Sequence, residues 1–243
     1  MTWQSGDTVP ADDDRRAELA AGLESVRDRI KAACDAAGRD PAEITLIAIT
    51  KTWPASDVRL LHGLGVTDVG ENRDAEAAPK AAACSDLDLT WHFVGQLQTN
   101  KCRSVATYSS FVHSVDRKRL VTALGSAARA AGRVVTGLVQ VSFDDDPGRG
   151  GVAPDGVPDL ARAIDSEEGL RLGGVMAVAP LGKPAEPAFE ALRECATAVM
   201  EIRGDAGIIS AGMSGDLEAA VAAGATHVRI GTALLGNRRP RVM

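Results

Sequence analysis

Short β-branched segments alternate with alanine-rich helical segments along the chain, and this alternation is the strongest constraint on its fold. Eight candidate strands recur, at residues 44–50, 66–70, 90–94, 111–115, 134–143, 172–179, 207–212 and 226–231. Helical segments separate them, near residues 55–64, 73–83, 98–107, 117–131, 157–167, 185–203 and 215–223. Strands joined through helices pair in parallel, and eight such units in 243 residues predict an α/β fold, a (β/α)8 TIM barrel. A doubly wound open sheet is the structural alternative.

An additional N-terminal helix precedes the first strand. From Asp12 onward, apolar residues repeat at three- and four-residue spacing, and Gly38 and Pro41 end the helix. No repeat, low-complexity tract or linker divides the rest of the sequence. We therefore expect a flexible N-terminal tail at residues 1–10 and a single barrel domain at residues 11–243.

Composition excludes several classes of protein. A net charge of −6 and a pI near 5.3 argue against a nucleic-acid-binding surface. The polar, acidic N-terminus is not a signal peptide, and no apolar stretch approaches the roughly 18 residues of a membrane span. Four cysteines, without C-x-x-C spacing, suggest buried thiols in a reducing compartment. We expect a soluble cytoplasmic protein that binds neither nucleic acid nor membrane.

Polar and glycine-rich segments follow the candidate strands where a barrel would carry its chemistry. The active sites of such barrels lie at the carboxyl ends of the strands. The segments found there are Lys51, GEN (70–72), GQLQTNK (95–101), DDDPGRGG (144–151), SAGMSGD (210–216) and RIGT (229–232). Their positions support both the barrel and a site at its mouth.

The segment SAGMSGD has the features of a phosphate-binding loop. Gly212 and Gly215 allow a ligand to approach the backbone, and Ser214 offers a hydroxyl at the start of the next helix. Gly231 and Thr232 follow the eighth strand with similar chemistry, and loops after barrel strands seven and eight often bind phosphate. The two loops together predict a phosphate site. The alternative is that Ser214 only caps its helix.

Arg229 is unusual because it stands within a strand segment, THVRIG. Its neighbours Val228 and Ile230 point to the opposite face of that strand. An arginine that points into the barrel keeps its charge and needs an acceptor, which a ligand heteroatom near the mouth would provide. The alternative is an outward arginine whose aliphatic stem packs between helices.

Lys51 ends the first apolar strand segment. A desolvated lysine near other cations loses its proton more readily and becomes a nucleophile towards aldehydes. A Schiff-base lysine, a phosphate site and a group that faces a ring nitrogen together indicate pyridoxal 5′-phosphate (PLP). The alternative is an ordinary exposed lysine at a strand end.

Six motifs, in order along the chain, carry a resemblance to a known family. They are ITKTWPA, GENRDAEA, WHFVGQLQTNK, HSVD, GRGG and GMSGDLEAAVAAGATHVRIGTALLG, of which the last is long and highly specific. From Ile44 to Gly236 the chain resembles the PLP homeostasis proteins. The resemblance implies the barrel of the fold-type III PLP enzymes, similar to the N-terminal domain of alanine racemase.

The resemblance also implies roles for individual residues. Lys51 would hold PLP as a Schiff base, and Arg229 would face the pyridine nitrogen. The other implied residues are Ser214, Gly231 and Thr232 at the phosphate, Gly212 and Met213 in its loop, Asn72 and Met176 near the ring, and Ser210 and His92 at the pocket wall. The remaining histidines show no ligand spacing, so we expect no metal site.

The function implied is that of a PLP carrier or buffer in vitamin B6 homeostasis, without a dedicated catalytic reaction. Alanine racemase uses a second, β-rich domain and a tyrosine from its partner subunit. We expect no room for that domain in this chain, whose only tyrosine, Tyr108, falls in a predicted helix. We expect PLP and apo-PLP-enzymes as partners, and a monomer or weak dimer.

Two other functions stay open. A small PLP enzyme, such as an amino-acid racemase, could use Lys51 alone or together with His92 as its acid and base. A Schiff-base aldolase could act on a phosphosugar without a cofactor, but it would leave Arg229 without a role.

Overall fold

A closed barrel of parallel strands forms the core of the protein. The computed structural model describes residues 9–143 and 149–236, and within them eight strands close in the order β1 to β8. The strands are β1 Thr45–Ile49, β2 Asp68–Glu71, β3 Thr90–Phe93, β4 Phe111–Val115, β5 Val135–Gln140, β6 Leu170–Met176, β7 Ile208–Ser210 and β8 His227–Ile230. The predicted (β/α)8 barrel is confirmed. The open-sheet alternative is wrong, because β8 pairs in parallel with β1 from Thr45↔His227 to Ala48↔Ile230.

Helices surround this barrel. In the described ranges they are α1 Val9–Ala37, α2 Ala55–Gly63, α3 Asp74–Ala83, α4 Cys102–Tyr108, α5 Lys118–Ala130, α6 Val157–Asp165, α7 Glu186–Ile202, α8 Leu217–Ala222 and α9 Thr232–Leu235. The short helix α9 was not expected from the sequence. The predicted tail at residues 1–10 lies outside the described residues, apart from Val9 and Pro10, which belong to α1.

The N-terminal helix α1 packs on the side of the barrel where β8 pairs with β1. Its apolar stripe, from Leu19 to Ile30, is buried against residues of α8, α9 and β8. Gly22 faces the Leu234 carbonyl so closely that a Cβ would not fit there. Burial of each large aliphatic side chain contributes about 1.5–3 kcal/mol, so this stripe stabilises the region that carries the last two loops.

The strands place alternate side chains inside and outside the barrel. Outward residues such as Val112 and Val228 pack against the helices. The lower interior instead carries a cluster of rings, in which His92 stacks on Phe111 at 4.6 Å between ring centroids and His113 lies edge-on to His92 at 5.1 Å. These rings form a layer in the barrel interior, beneath the mouth.

All four cysteines are free and buried, as the sequence predicted. No helix in the described part of the chain combines the length and the apolar character that crossing a bilayer requires.

Candidate cofactor site at the barrel mouth

A cavity of about 310 Å³ opens at the carboxyl ends of the strands. Its lining residues are Ile49, Lys51, Asn72, Val94, Met176, Val178, Met213, Ser214, Gly215, Arg229, Gly231 and Thr232. Most of the predicted cofactor-binding residues are among them. The exceptions are Ser210 and Gly212, and the predicted wall residue His92 is also absent from the lining. The barrel topology thus brings together side chains from opposite ends of the sequence.

Lys51 is presented to the cavity by a tight turn after β1. The Trp53 N–H donates to the Thr50 carbonyl at 3.0 Å, and Thr52 between them has φ 70°. A β-branched residue at positive φ costs about 1–3 kcal/mol. The carboxylate of Glu76 accepts the Thr52 N–H at 2.9 Å and helps to hold this conformation. Within the described ranges, no hydrogen bond or ion pair engages the Lys51 ammonium.

A buried ion pair supports the same turn from the outer side of the barrel. The Lys80 ammonium on α3 donates to the Glu71 carboxylate and, at 2.8 Å, to the Thr50 carbonyl. The Thr50 hydroxyl donates to Glu71 Oε1 at 2.6 Å. Burial raises the pKa of Glu71, and the hydrogen bonds from Lys80 and Thr50 oppose the rise. The pair was missed from the sequence, although a glutamate at a strand end followed by a lysine on the next helix could have suggested it.

Asn72 lines the cavity beside a close contact between two loops. A Cβ on Gly95, in the loop after β3, would overlap the backbone carbonyl of Asn72. Glycine is therefore required at residue 95, where the loops after β2 and β3 touch. This contact fixes the edge of the cavity at which Asn72 lies.

The loops after β7 and β8 are joined by a hydrogen bond. Ser214 Oγ accepts the Ala233 N–H at 3.2 Å, so Ser214 does not cap α8 as the alternative supposed. At the N-cap of α8 stands Asp216, whose carboxylate accepts the Met213 N–H at 2.6 Å. Gly212 shapes the loop from behind, because its φ of 90° and the nearby Ala220 side chain exclude a larger residue.

Arg229 points into the barrel, and the outward alternative is wrong. It is only 5% exposed and donates to Ser210 Oγ at 2.7 Å and to the Ala177 carbonyl at 2.9 Å. In the described part of the chain it forms no ion pair. Burial lowers the pKa of Arg229 to about 10, partly offset by the charge of Asp216. A buried cation without a counterion, at the wall of a cavity, favours a ligand that can accept a hydrogen bond.

His92 lies deeper than we expected. It lies one layer below the cavity, between Asp68 and His113. At this height, the residue of β3 that points inward is His92 itself, and it contacts the other rings instead of the cavity. Ser210 lies directly beneath Arg229. The cavity itself is walled by apolar side chains that the sequence did not single out, such as Val94 and Val178.

Comparison with known proteins defines first the class of fold. Residues 23–239 match the family of the alanine racemase N-terminal domain. The alanine racemase of Streptomyces coelicolor has a similar barrel, with a TM-score of 0.68 and 22% identity over 92% of this chain and 59% of that enzyme. At this identity the likeness concerns the fold alone.

Two relatives define the family within that class. A pyridoxal phosphate homeostasis protein of Mycobacterium leprae is 44% identical over 94% of this chain and 96% of its own length. PipY of Synechococcus elongatus, solved with PLP bound, has a TM-score of 0.78 and 32% identity over 90% of this chain and 100% of its own. The chain belongs to the family of pyridoxal phosphate homeostasis proteins, which confirms the resemblance found in the motifs.

Proposed function

We propose that this protein binds PLP at the barrel mouth, holds it as a Schiff base on Lys51, and serves intracellular vitamin B6 homeostasis without a dedicated catalytic reaction. One observation carries the proposal: a free lysine, a buried unpaired arginine and two hydroxyl-bearing loops line the same cavity. Its volume of about 310 Å³ lies at the lower end of the range for small-molecule sites, about 300–1,000 Å³.

The lining residues fit the parts of PLP. Ser214, Gly231 and Thr232 offer hydroxyl and backbone N–H donors to the phosphate. Arg229 uses two of its five N–H donors on Ser210 and Ala177, and the others can serve the ring nitrogen. Asn72 and Met176 would then lie near the ring, and Met213 would lie in the phosphate loop.

Lys51 forms the covalent link in this proposal. Its ε-amino nitrogen would hold the PLP aldehyde carbon through a C=N bond, formed with the loss of one water molecule. Bound PLP supplies an electron-withdrawing ring. Arg229 would limit that effect, because a guanidinium can only donate hydrogen bonds, so the ring nitrogen that it contacts has to be an unprotonated acceptor.

The lining argues against a racemase. Among the described residues of the cavity wall, the titratable side chains are Lys51 and Arg229, and arginine is a poor general acid or base. Tyr108 is directed elsewhere, since its hydroxyl lies 3.4 Å from the Asp74 carboxylate. A two-base racemase reaction therefore has one candidate base at the cavity, Lys51. The aldolase alternative still gives Arg229 no role.

The remaining expectations stay predictions. They concern PLP transfer to apo-PLP-enzymes, a monomeric or weakly dimeric state, a cytoplasmic location and the absence of a bound metal.

The test compares the wild type with Lys51→Ala in a PLP titration followed by visible absorbance. We expect a visible band in the wild type that is absent in Lys51→Ala. Lys31→Ala is the matched control, because Lys31 is an exposed lysine of α1 whose only described ion pair is with Asp35. A wild type that shows no visible band once the unbound PLP has been removed would contradict the proposal, and loss of the chirality of an added amino acid would favour the racemase.

A further inference from the structure

A chain of hydrogen bonds crosses the barrel interior from Arg229 to Asp68. Ser210 Oγ lies 2.7 Å from Arg229 Nη1 and 2.9 Å from His113 Nδ1. His113 Nε2 lies 2.9 Å from His92 Nδ1, and His92 Nε2 lies 3.0 Å from Asp68 Oδ1. The four residues other than Asp68 are at most 5% exposed, so water hardly competes for these bonds.

The two ends of this chain lie at opposite ends of the barrel. Arg229 lines the mouth cavity. Asp68, whose side chain is 24% exposed, lines a different cavity of about 550 Å³ between α1 and the first residues of β1 and β2. The hydrogen bonds therefore connect the buried arginine at the mouth to a partly solvated carboxylate at the base.

The charged ends determine the direction of every bond. Arg229 can only donate, so Ser210 Oγ accepts from it. Ionised Asp68 can only accept, so His92 donates through Nε2 and its Nδ1 is an acceptor. His113 must then donate from Nε2 to His92. Its Nδ1 then accepts a hydrogen bond from the Ser210 hydroxyl.

The protonation states required by this arrangement agree with the surroundings. Burial lowers the pKa of His92. Burial, together with the charge of Arg229 and the charges that His92 and His227 carry when protonated, lowers the pKa of His113 well below its usual value. The hydrogen bond from His92 holds the pKa of Asp68 below its usual value, against burial. The other group that faces the rings, His227, also has a pKa lowered by burial, to about 4. Both relay histidines are thus neutral and Asp68 is ionised at neutral pH.

We propose that Asp68, His92, His113 and Ser210 form a positioning relay that fixes the orientation of Arg229 towards the bound cofactor. This inference rests on the PLP site proposed above. The Ser210 hydroxyl donates its hydrogen bond to His113, so the Ser210 oxygen directs a lone pair at Nη1 of Arg229. The Ala177 carbonyl holds Nη2 at 2.9 Å, and the two contacts together fix the plane of the guanidinium.

The first test needs no cofactor. In ¹⁵N NMR spectra of the histidine-labelled protein without PLP at neutral pH, we expect His92 and His113 each to carry one proton, on Nε2. Asp68→Asn offers both a donor and an acceptor to His92, so we expect it to give mixed tautomers. A wild-type histidine protonated on Nδ1, or unchanged tautomers in Asp68→Asn, would overturn the relay.

The second test measures PLP affinity. Ser210→Ala removes the hydroxyl that accepts from Arg229, and we expect about tenfold weaker PLP binding and a shift in the pH profile of the visible band. Ser114→Ala is the matched control: this buried serine of β4 is adjacent in sequence to His113, and its hydroxyl has no partner in the described ranges. We expect it to bind PLP like the wild type.

A double-mutant cycle separates positioning from general damage to the fold. In an Arg229→Gln background, Ser210→Ala should cause no further loss of PLP affinity, because the residue on which the relay acts is gone. Equal losses in both backgrounds, or equal affinities of Ser210→Ala and Ser114→Ala, would overturn the inference. A wild type that does not bind PLP would refute the proposed function, while the tautomer test would still decide whether the relay exists.

Discussion

The charged side chains that line the mouth cavity differ in their partners from the charged side chains in the barrel wall and interior beneath it. Lys51 has no partner in the described ranges, and Arg229 has neutral partners only. Beneath them, Glu71 is paired with Lys80, and Asp68 accepts a hydrogen bond from His92. Charged groups that the protein pairs internally support the structure, whereas charged groups without a counterion at a cavity indicate where a ligand completes the site.

The largest expected effect on the free energy of unfolding comes from breaking the buried ion pair of Glu71 with Lys80. Glu71→Gln removes the carboxylate of a buried ion pair and leaves the Lys80 ammonium without a counterion, so we expect a loss of about 3–5 kcal/mol in the free energy of unfolding. Urea denaturation measures it. Glu218→Gln, at the exposed ion pair with Arg29, is the control and should cost at most about 1 kcal/mol. Similar losses for both variants would mean that the buried pair has no special role.

We expect low pH to reduce the free energy of unfolding, because the interior contains buried neutral histidines. The folded protein keeps His227 neutral, with a pKa of about 4, while the unfolded chain titrates it near 6.5. The unfolded state then binds more protons, so the stabilisation is complete above pH 6.5 and is lost as the pH falls towards 4. The loss from His227 alone is roughly 3 kcal/mol, and the lowered pKa values of His92 and His113 act in the same direction.

Urea unfolding between pH 4 and 7 checks this prediction. His227→Gln should flatten the dependence of the unfolding free energy on pH. Stability that is constant between pH 7 and 4 would contradict the neutral state of the buried histidines.

A smaller effect is expected at the turn that presents Lys51. Thr52→Gly removes the cost of a β-branched residue at φ 70°, and we expect a gain of about 1 kcal/mol in the free energy of unfolding. Thr122→Gly, on the exposed face of α5, is the same change in a helix and should cost about 0.3–0.5 kcal/mol. Thermal unfolding of the two variants measures these opposite signs, and a loss of stability in Thr52→Gly would show that the turn is unstrained.

Much of the barrel and its mouth could be predicted because they follow from local patterns. The alternation of strands and helices predicts the topology, and the carboxyl ends of parallel strands bring Lys51, Ser214 and Thr232 to one cavity. The period of two along β8 predicts that Arg229 faces away from Val228 and Ile230. The structure confirms this, because Arg229 points into the barrel.

The interior could not be predicted in the same way. His113 meets Ser210 across 97 residues of sequence. Such contacts depend on strand register and on the height of each side chain in the barrel, which one sequence does not reveal. For this reason His92 was expected at the pocket wall and lies one layer below it.

The most direct test of the account is to locate the covalent link. The protein is incubated with PLP and reduced with borohydride, and its peptides are analysed by mass spectrometry. We expect the reduced PLP adduct on the peptide that contains Lys51, and no adduct on that containing Lys80, whose ammonium is buried in an ion pair. An adduct on another lysine, with Lys51 unmodified, would contradict the claim that the free ammonium at the barrel mouth holds the cofactor.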